Sequence, residues 1–196
     1  MSRKSSVKRK TRETDISVML TLEGKGKGDI RTGIGFFDHM LETFAKHGGF
    51  DLKLSCKGDL SVDQHHTVED CGIALGEAFD KALGDRKGIN RAGFFAFPMD
   101  EALALCAIDI AGRPYLVFEA SFKGEKAGGF PTDLVREFFQ GFANSLRANV
   151  QVRGFNSFTD HHKIEAIFKA FAKAMRMACL TNSRMKDAIP STKGVI

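Results

Sequence analysis

The stretch that decides the fold reads HHTVEDCGIALGEAF over residues 65–79, and it returns as HHKIEAIFKAFAKAM over residues 161–175. Each copy opens with two histidines and has a glutamate three positions after the second, a motif written HHxxE below. The apolar residues recur every three or four positions, which is the period of an amphipathic helix. This spacing predicts helices over about 65–83 and about 159–180, the first ended by Gly84.

The repeat extends beyond the motif. Five apolar residues of the segment FFDHMLETF, residues 36–44, recur 98 positions later, and five residues in and before the motif recur 96 positions later. A loop two residues shorter in the second half accounts for the change of spacing. Two unrelated amphipathic helices would align at apolar positions but would not both carry HHxxE, so the chain contains an internal duplication. The first-half positions are Phe36, Phe37, Met40, Leu41 and Phe44 at the spacing of 98, and Leu54, Cys56, His65, His66 and Glu69 at 96.

Each half is predicted to hold two strands, a helix, a third strand and a second helix. Alternating apolar residues mark the strands, and the glycines of residues 24–28 predict a hairpin between the first two. The fold class is therefore α+β, an internally duplicated strand-strand-helix-strand-helix unit that forms two small sheets backed by helices. The strands are expected near residues 16–22, 30–34, 52–56, 103–110, 115–120 and 150–152, and the remaining helices over 36–47 and 134–146.

Charge is distributed unevenly along the chain. There are 29 lysines and arginines against 24 acidic residues, a formal net charge of +5, and six of the basic residues precede Glu13. The predicted organisation is a basic, solvated N-terminal arm over residues 1–12, a first half over 13–90 and a second half over 91–196, the halves forming one compact domain pair. Nucleic-acid binding would depend on the arm alone and is not expected.

Composition narrows the class of protein. With 196 residues, 43% of them hydrophobic, the chain can bury a substantial core, which excludes a disordered or fibrous protein. The longest apolar run, residues 102–108, is far shorter than the roughly 20 residues of a membrane-spanning helix, so no membrane partner is expected. Four cysteines without CxxC spacing predict buried thiols and a cytoplasmic location.

The repeated motif has the donors and spacing of a metal site. On a helix, residues i and i+4 share a face, whereas residue i+1 is turned by about 100°. His65 and Glu69 can therefore bind one ion while His66 points elsewhere, and the second copy repeats this arrangement. The second histidine of each motif, His66 or His162, is called the odd histidine. If the two helices face each other, the odd histidine of each helix can bind the ion held by the other helix. The predicted sets are His65, Glu69 and His162 for one ion, and His161, Glu165 and His66 for the other.

The 98-residue spacing also places His39 opposite Glu137. Both lie on the polar side of a phenylalanine-rich helix, where each could complete one ion's shell. Mixed imidazole and carboxylate ligands suit manganese, iron or zinc, and the residue types alone do not choose among these metals.

Four stretches of this chain strongly resemble the imidazoleglycerol-phosphate dehydratases, a family of histidine-biosynthesis enzymes. They are FFDHMLETFAKHGGFDL, DQHHTVEDCGIALGEAF, HHKIEAIFKAFAKAM and the terminal IPSTKGVI. The resemblance implies a ribosomal protein S5 domain 2-like fold, a hydro-lyase activity, two Mn²⁺ ions per active site and a homo-oligomer of 24 subunits. It also implies sites between subunits, and the sequence leaves open whether the facing helices belong to one chain or to two.

The resemblance implies complete ligand sets. One Mn²⁺ would take His39, His66, His161 and Glu165, and the other would take His65, Glu69, Glu137 and His162. By the same resemblance, many relatives have histidine at position 137 while others have glutamate, so the ligand type changes without emptying the position. Relatives commonly have histidine where this chain has Gln151, which is not counted as a ligand.

The remaining predicted site residues bind substrate or move protons. The resemblance implies that the phosphate-bearing substrate is held by Arg91, Arg113, Lys169, Ser191, Thr192 and Lys193. Glu13 is the candidate acid or base and a substrate contact, and the catalytic set comprises Glu13, Glu165 and His65. On sequence alone, Lys169 on a solvated helix face and a frayed STKG tail remain alternatives.

The reaction implied is the loss of water from imidazole glycerol phosphate to give imidazole acetol phosphate. The carbon-bound proton is not acidic, and two metal ions beside the substrate ring would stabilise an imidazolate that expels the hydroxyl through a diazafulvene-like intermediate. Two other functions remain open: a two-metal phosphoester hydrolase, and a non-enzymatic RNA-binding module that uses the basic arm.

Overall fold

The computed structural model describes residues 2–196 and contains ten strands and four α-helices within that range. The first half holds β1 (Lys4–Lys10), β2 (Thr14–Thr21), β3 (Gly28–Arg31), α1 (Gly35–Gly48), β4 (Asp51–Gly58) and α2 (His65–Leu83). The second half holds β5 (Ala92–Met99), β6 (Ala102–Asp109), β7 (Tyr115–Glu119), β8 (Lys126–Ala127), β9 (Phe130–Pro131), α3 (Leu134–Leu146), β10 (Asn149–Gly154) and α4 (Asp160–Cys179).

The two halves have the same topology. The first sheet has the strand order β1-β2-β4-β3, and the second has β5-β6-β10-β7. In both, the third strand in sequence runs parallel to the fourth, through α1 in one half and α3 in the other. This confirms the predicted α+β duplication. Each four-stranded sheet has one strand more than predicted, β1 and β5, and the second half also holds the short pair β8 and β9 outside its main sheet.

The predicted hairpin between the strands near residues 16–22 and 30–34 is wrong. β2 and β3 do not pair, because β4 lies between them, antiparallel to β2 and parallel to β3. The helix α1 carries the chain across the sheet before β4 begins, which is the connection that parallel strands need. Alternation alone predicts strands but not which strands are neighbours.

The basic arm forms a sheet edge. Residues 4–10 are β1, paired antiparallel with β2 along their whole length. Val7 is buried, Arg9 binds Asp70 on α2, and the side chains of Lys4 and Lys8 are exposed. The expectation of a solvated tail is therefore wrong, and the exposed lysines suit an edge strand because they oppose pairing with other strands.

The helices lie between the two sheets. α2 packs against the first sheet and against α3, while α4 packs against the second sheet and against α1. Phenylalanines fill the space between the helices, with Phe44 stacked on Phe171 at a centroid distance of 4.7 Å and Phe142 edge-on to Phe171 at 4.9 Å. Buried residues of both halves form one hydrophobic cluster. The halves therefore share a core that neither could bury alone.

The structure also moves the point at which the repeat spacing changes. The residues that end α1 and α3 in the left-handed conformation, Gly49 and Arg147, are 98 positions apart, and each is followed two residues later by a strand. The spacing of 98 therefore persists into β4 and β10. The two-residue difference falls in the loop that follows each strand, rather than before the strand as predicted.

Within residues 2–196, none of the helices combines the length and the apolar character required to cross a membrane.

Candidate active site

The first group of predicted ligands gathers where the early turns of α1 and α4 meet. His39, His161 and Glu165 each offer a ligand atom, and these atoms lie within 4.8 Å of one another. The Oε2 atom of Glu165 is 3.3 Å from Nε2 of His161 and 3.8 Å from Nε2 of His39. His161 and Glu165 are one helical turn apart, as the motif predicted. The three side chains have the donor types and the proximity that a divalent ion needs.

Glu165 is held from its other oxygen. Oε1 accepts a hydrogen bond from Nζ of Lys169, at 2.8 Å, while Oε2 faces the two histidines. Burial raises the pKa of Glu165, but the hydrogen bond and the charge of Lys169 outweigh it and leave the pKa below its ordinary value. Lys169 itself is largely buried and lies over the ring of Phe97. The alternative of a solvated Lys169 is therefore wrong.

The second group of predicted ligands lies along the contact between α2 and α3. Nε2 of His65 is 3.8 Å from Oε2 of Glu69, one turn later. A Cβ atom at Gly141 of α3 would meet the carbonyl oxygen of Glu69 at 2.7 Å, so the two backbones nearly touch. Glu137 lies one turn before Gly141 on the same face, and its carboxylate pairs with Arg136 at 2.9 Å. By the repeat, Glu137 is the counterpart of His39, but among the described residues its carboxylate does not gather with His65 and Glu69 within 4.8 Å.

The odd histidines turn away from these groups, as helix geometry requires. Nδ1 of His66 lies 3.0 Å from Oδ2 of Asp59, and Nδ1 of His162 lies 2.9 Å from Oε2 of Glu101. These hydrogen bonds raise the pKa of each histidine, and the bond from His162 lowers the pKa of Glu101 to about 2.

The exchange of odd histidines is not made within one chain. Among the described residues, the ligand clusters join His162 to Asp100 and Glu101, and they do not join His66 to Glu165. α2 and α4, which carry the two motifs, pack on α3 and α1. Any ion that took ligands from both motifs would therefore need a second copy of the chain.

The predicted phosphate-binding residues fall into two places. Arg91 precedes β5 and lies near the C-terminal tail, since its Nη1 donates to the carbonyl of Pro190 at 2.9 Å. Arg113 is exposed beside Gly112, where a Cβ atom would lie 2.7 Å from the last residue, Ile196. Lys169 is near the other end of β5, about 25 Å away at the rise of a strand. A single chain does not bring all these cations together.

The tail that carries Ser191, Thr192 and Lys193 is ordered by local bonds. The amide of Gly194 donates to the carbonyl of Ser191 at 3.0 Å, and the amide of Lys193 donates to the hydroxyl of Ser191 at 3.2 Å. The guanidinium of Arg91 also forms two bonds with Asp109, at 2.7 and 3.0 Å. In this chain, Arg91 ties the tail to the sheet.

We expect Arg91→Ala to loosen the tail. Losing the charge-assisted bond to the Pro190 carbonyl weakens docking by about 1.5 kcal/mol, which raises the undocked population about tenfold. Limited trypsin digestion should then cleave after Lys186 correspondingly faster. The matched control is Arg153→Ala, whose residue pairs with exposed Glu119. Equal cleavage rates in all three proteins would contradict the role given to Arg91.

Two further predicted positions have a defined place. Glu13 lies in the turn between β1 and β2, half exposed, with Oε1 3.8 Å from Nε2 of His66. Gln151 alternates in β10 with the buried Val150 and Val152, so it lies on the face of the sheet away from α4. Gln151 cannot reach the motif residues of its own chain.

Sequence reasoning missed the carboxylates beside the odd histidines, Asp59, Asp100 and Glu101. Asp100 and Glu101 form the turn between β5 and β6, and β5 itself was not predicted. The signal was weak because β5 is an edge strand without apolar alternation and contains Gly93 and Pro98.

Comparison with known proteins agrees with the fold and gives the family. A family model described as imidazoleglycerol-phosphate dehydratase matches residues 32–175, which include both motifs. The chain belongs to the imidazoleglycerol-phosphate dehydratase family. It is a hydro-lyase of histidine biosynthesis.

The likeness to individual relatives extends over nearly the whole chain. The imidazoleglycerol-phosphate dehydratase of Koribacter versatilis is 52% identical over 194 residues, covering 99% of this chain and 100% of the relative. That of Caldanaerobacter subterraneus subsp. tengcongensis is 55% identical with the same coverage. Among solved structures, IGPD from Pyrococcus furiosus matches with a TM-score of 0.84 at 37% identity, covering 97% of this chain and 100% of that one. The enzyme from Staphylococcus aureus matches with a TM-score of 0.79 at 37% identity, covering 93% and 100%.

Proposed function

We propose that the enzyme dehydrates imidazole glycerol phosphate to imidazole acetol phosphate with two Mn²⁺ ions in each active site. The observation that carries the metal assignment is the convergence of His39, His161 and Glu165 within 4.8 Å. Their imidazole and carboxylate donors suit Mn²⁺, although they do not select it over iron or zinc. We assign one ion to His39, His66, His161 and Glu165, and the other to His65, Glu69, Glu137 and His162.

Held by these ligand sets, the metal ions would supply positive charge that stabilises the substrate ring as an imidazolate and so favours loss of the hydroxyl. Without that charge, the proton on the adjacent carbon is too weakly acidic to be removed at neutral pH. The protein's task is to place the ring between the two ligand sets and to move protons to and from it.

Glu13 is the side chain we assign to proton transfer. Its carboxylate is half exposed and reaches to within 3.8 Å of Nε2 of His66, so it borders the ligand set while remaining open to a substrate. A carboxylate there can take the carbon-bound proton and return a proton to the departing hydroxyl, which leaves as water.

The phosphate is assigned to the cationic corner formed by Arg91, Arg113 and the tail residues Ser191, Thr192 and Lys193, with Lys169 contributed from another chain. Guanidinium groups and hydroxyls suit a phosphate dianion. Because the tail and Lys169 lie at opposite ends of β5, a substrate that reached both would span two chains.

We therefore propose that the working enzyme is a homo-oligomer, of 24 subunits as the family resemblance implies. The loops before α2 and α4 support this, since Val62 is 68% exposed and Phe158 is 82% exposed, each four residues before an odd histidine. One chain supplies only part of each set of metal-binding residues. Exposed apolar side chains at such a site suit contact with a second copy of the chain. We place the assembly in the cytoplasm, because all four cysteines are buried thiols without a disulfide.

The deciding experiment is incubation of the purified protein with imidazole glycerol phosphate and Mn²⁺. We expect the acetol product to accumulate without release of inorganic phosphate. Release of phosphate in place of the acetol would identify a phosphoester hydrolase and overturn the proposal. Metal analysis of the same sample should give two Mn²⁺ ions per chain.

Arg113→Ala tests the phosphate assignment. We expect KM to rise by about 10- to 100-fold, because a charge-assisted hydrogen bond to the dianion is worth about 1.5–3 kcal/mol. Bound Mn²⁺ should stay unchanged, since Arg113 is exposed in the loop before β7, away from both motifs. Lys126→Ala, at another exposed cation, is the control. An unaltered KM would remove Arg113 from the site.

A further inference from the structure

We propose that Asp59 and Glu101 are positioning residues, whose carboxylates hold His66 and His162 with the hydrogen on Nδ1 and the lone pair on Nε2. This inference extends the proposed function, because Nε2 is then the atom each odd histidine presents to a metal. Each carboxylate lies within 3.0 Å of Nδ1 of its histidine. An ionised carboxylate can only accept a hydrogen bond, so the neutral ring must carry its hydrogen on Nδ1.

Glu101 is itself held in place. Its Oε1 accepts hydrogen bonds from the hydroxyl of Ser157 at 2.9 Å and from the amides of Phe158 and Thr159 at 3.0 and 3.2 Å. These donors belong to the loop before α4, and Thr159 also caps that helix by accepting from the amide of His162. With Oε1 fixed by three donors, Oε2 has one direction left, towards His162. The loop before α4 therefore fixes both partners of the contact, Glu101 through Oε1 and His162 through its amide.

In the first half, the carboxylate at Nδ1 of the odd histidine comes from a different element of the fold. Asp59, in the loop after β4, takes the Nδ1 side of His66, while Glu13, in the turn between β1 and β2, faces Nε2 at 3.8 Å. In the second half, the loop over residues 155–159 has no acidic side chain, and Glu101 in the turn between β5 and β6 takes Nδ1. Because Asp59 orients His66, Glu13 in the turn between β1 and β2 is not needed for that contact and remains available for proton transfer. The duplication thus has one hairpin glutamate that positions and one that is available to substrate.

Glu101→Gln makes a sharp test, because the three donors dictate how the new amide must lie. Its oxygen has to face Ser157, Phe158 and Thr159, which turns its NH₂ group towards Nδ1 of His162. An N–H donor there requires a bare Nδ1 and moves the ring hydrogen to Nε2. The substitution keeps the size and the loop bonds while reversing the tautomer.

The measurement is ¹⁵N solid-state NMR at alkaline pH on metal-free protein labelled in its six histidines. We expect one ring to change from the Nδ1–H to the Nε2–H form in Glu101→Gln and none to change in the matched control Glu119→Gln, whose residue pairs with exposed Arg153. Mn²⁺ titration should show one of the two sites weakened by about 10- to 100-fold.

Asp59→Ala provides an independent arm in the other half, should Glu101→Gln fail to fold. Removing the acceptor should weaken the other Mn²⁺ site, the one that uses His66, and leave the His162 tautomer unchanged. Identical tautomers and Mn²⁺ affinities in folded Glu101→Gln, Asp59→Ala and unmodified protein would overturn the positioning role. If the unmodified protein binds no Mn²⁺, the metal assignment fails, and the tautomer measurement alone decides the role of Glu101.

Discussion

Removal of divalent metal is expected to abolish dehydration and to reduce the size of the particle in solution. The chain by itself gathers only part of each ligand set, because His66 and His162 turn away from Glu165 and Glu69. An ion that takes ligands from two copies would hold those copies together, and its binding energy contributes to assembly. Activity assays, metal analysis and light scattering on one chelated sample measure all three quantities.

The matched control is the same chelator already saturated with Mn²⁺, which should change neither the turnover nor the particle. Returning Mn²⁺ to the stripped protein should restore both. Full turnover in a sample verified to contain no metal would eliminate the metal mechanism. Loss of turnover from a particle of unchanged size would confine the metal to catalysis and contradict its part in assembly.

Glu137→Ala is expected to lower bound Mn²⁺ from two ions per chain towards one and to reduce turnover by about 1,000-fold or more, the scale of losing the charge stabilisation that drives the reaction. By the repeat, Glu137 on α3 is the counterpart of His39 on α1, and we assign it to the ion of His65 and Glu69. The ion assigned to those residues loses a ligand, while the ion at His39, His161 and Glu165 keeps its own. The loss should therefore be selective.

Glu137→His should retain both ions, because histidine stands at this position in many relatives by the family resemblance. Glu42→Ala, an exposed glutamate on α1, is the control for removing a helix carboxylate. Metal analysis of the three purified variants distinguishes the outcomes. Two tightly bound ions and normal turnover in Glu137→Ala would show that Glu137 is a surface carboxylate and that the repeat does not place it at a metal.

The helices could be predicted from the sequence almost to the residue, because their signals are local. The periods of α2 and α3 gave 65–83 and 134–146, which are the observed bounds. The pairing of His161 with Glu165 followed from one helical turn. The repeat marked His39 as a candidate ligand, and the family resemblance grouped it with His161 and Glu165. Each of these inferences needs only a few neighbouring residues or a comparison of the chain with itself.

The sheets were harder to predict, because strand neighbours are set by hydrogen bonds between distant residues. Nothing in the segment around Ile30 reveals that β4 pairs with it in place of β2. β1 and β5 lie at sheet edges, where one side of the backbone is unpaired and the apolar alternation is weak, so they carry little strand signal. The turn that carries Glu101 could not be predicted either, because it follows β5, which has little strand signal.

The sequence by itself determined the duplication, the helices and the chemical character of the ligands, since periodicity and residue type are properties of the chain alone. Only the tertiary structure decided where the ligands go. Packing of α4 on α1 brought His39 to Glu165, while the loops before α2 and α4 turned His66 and His162 to Asp59 and Glu101. Those contacts join elements far apart in sequence, and their geometry depends on how the phenylalanine core seats one helix against another.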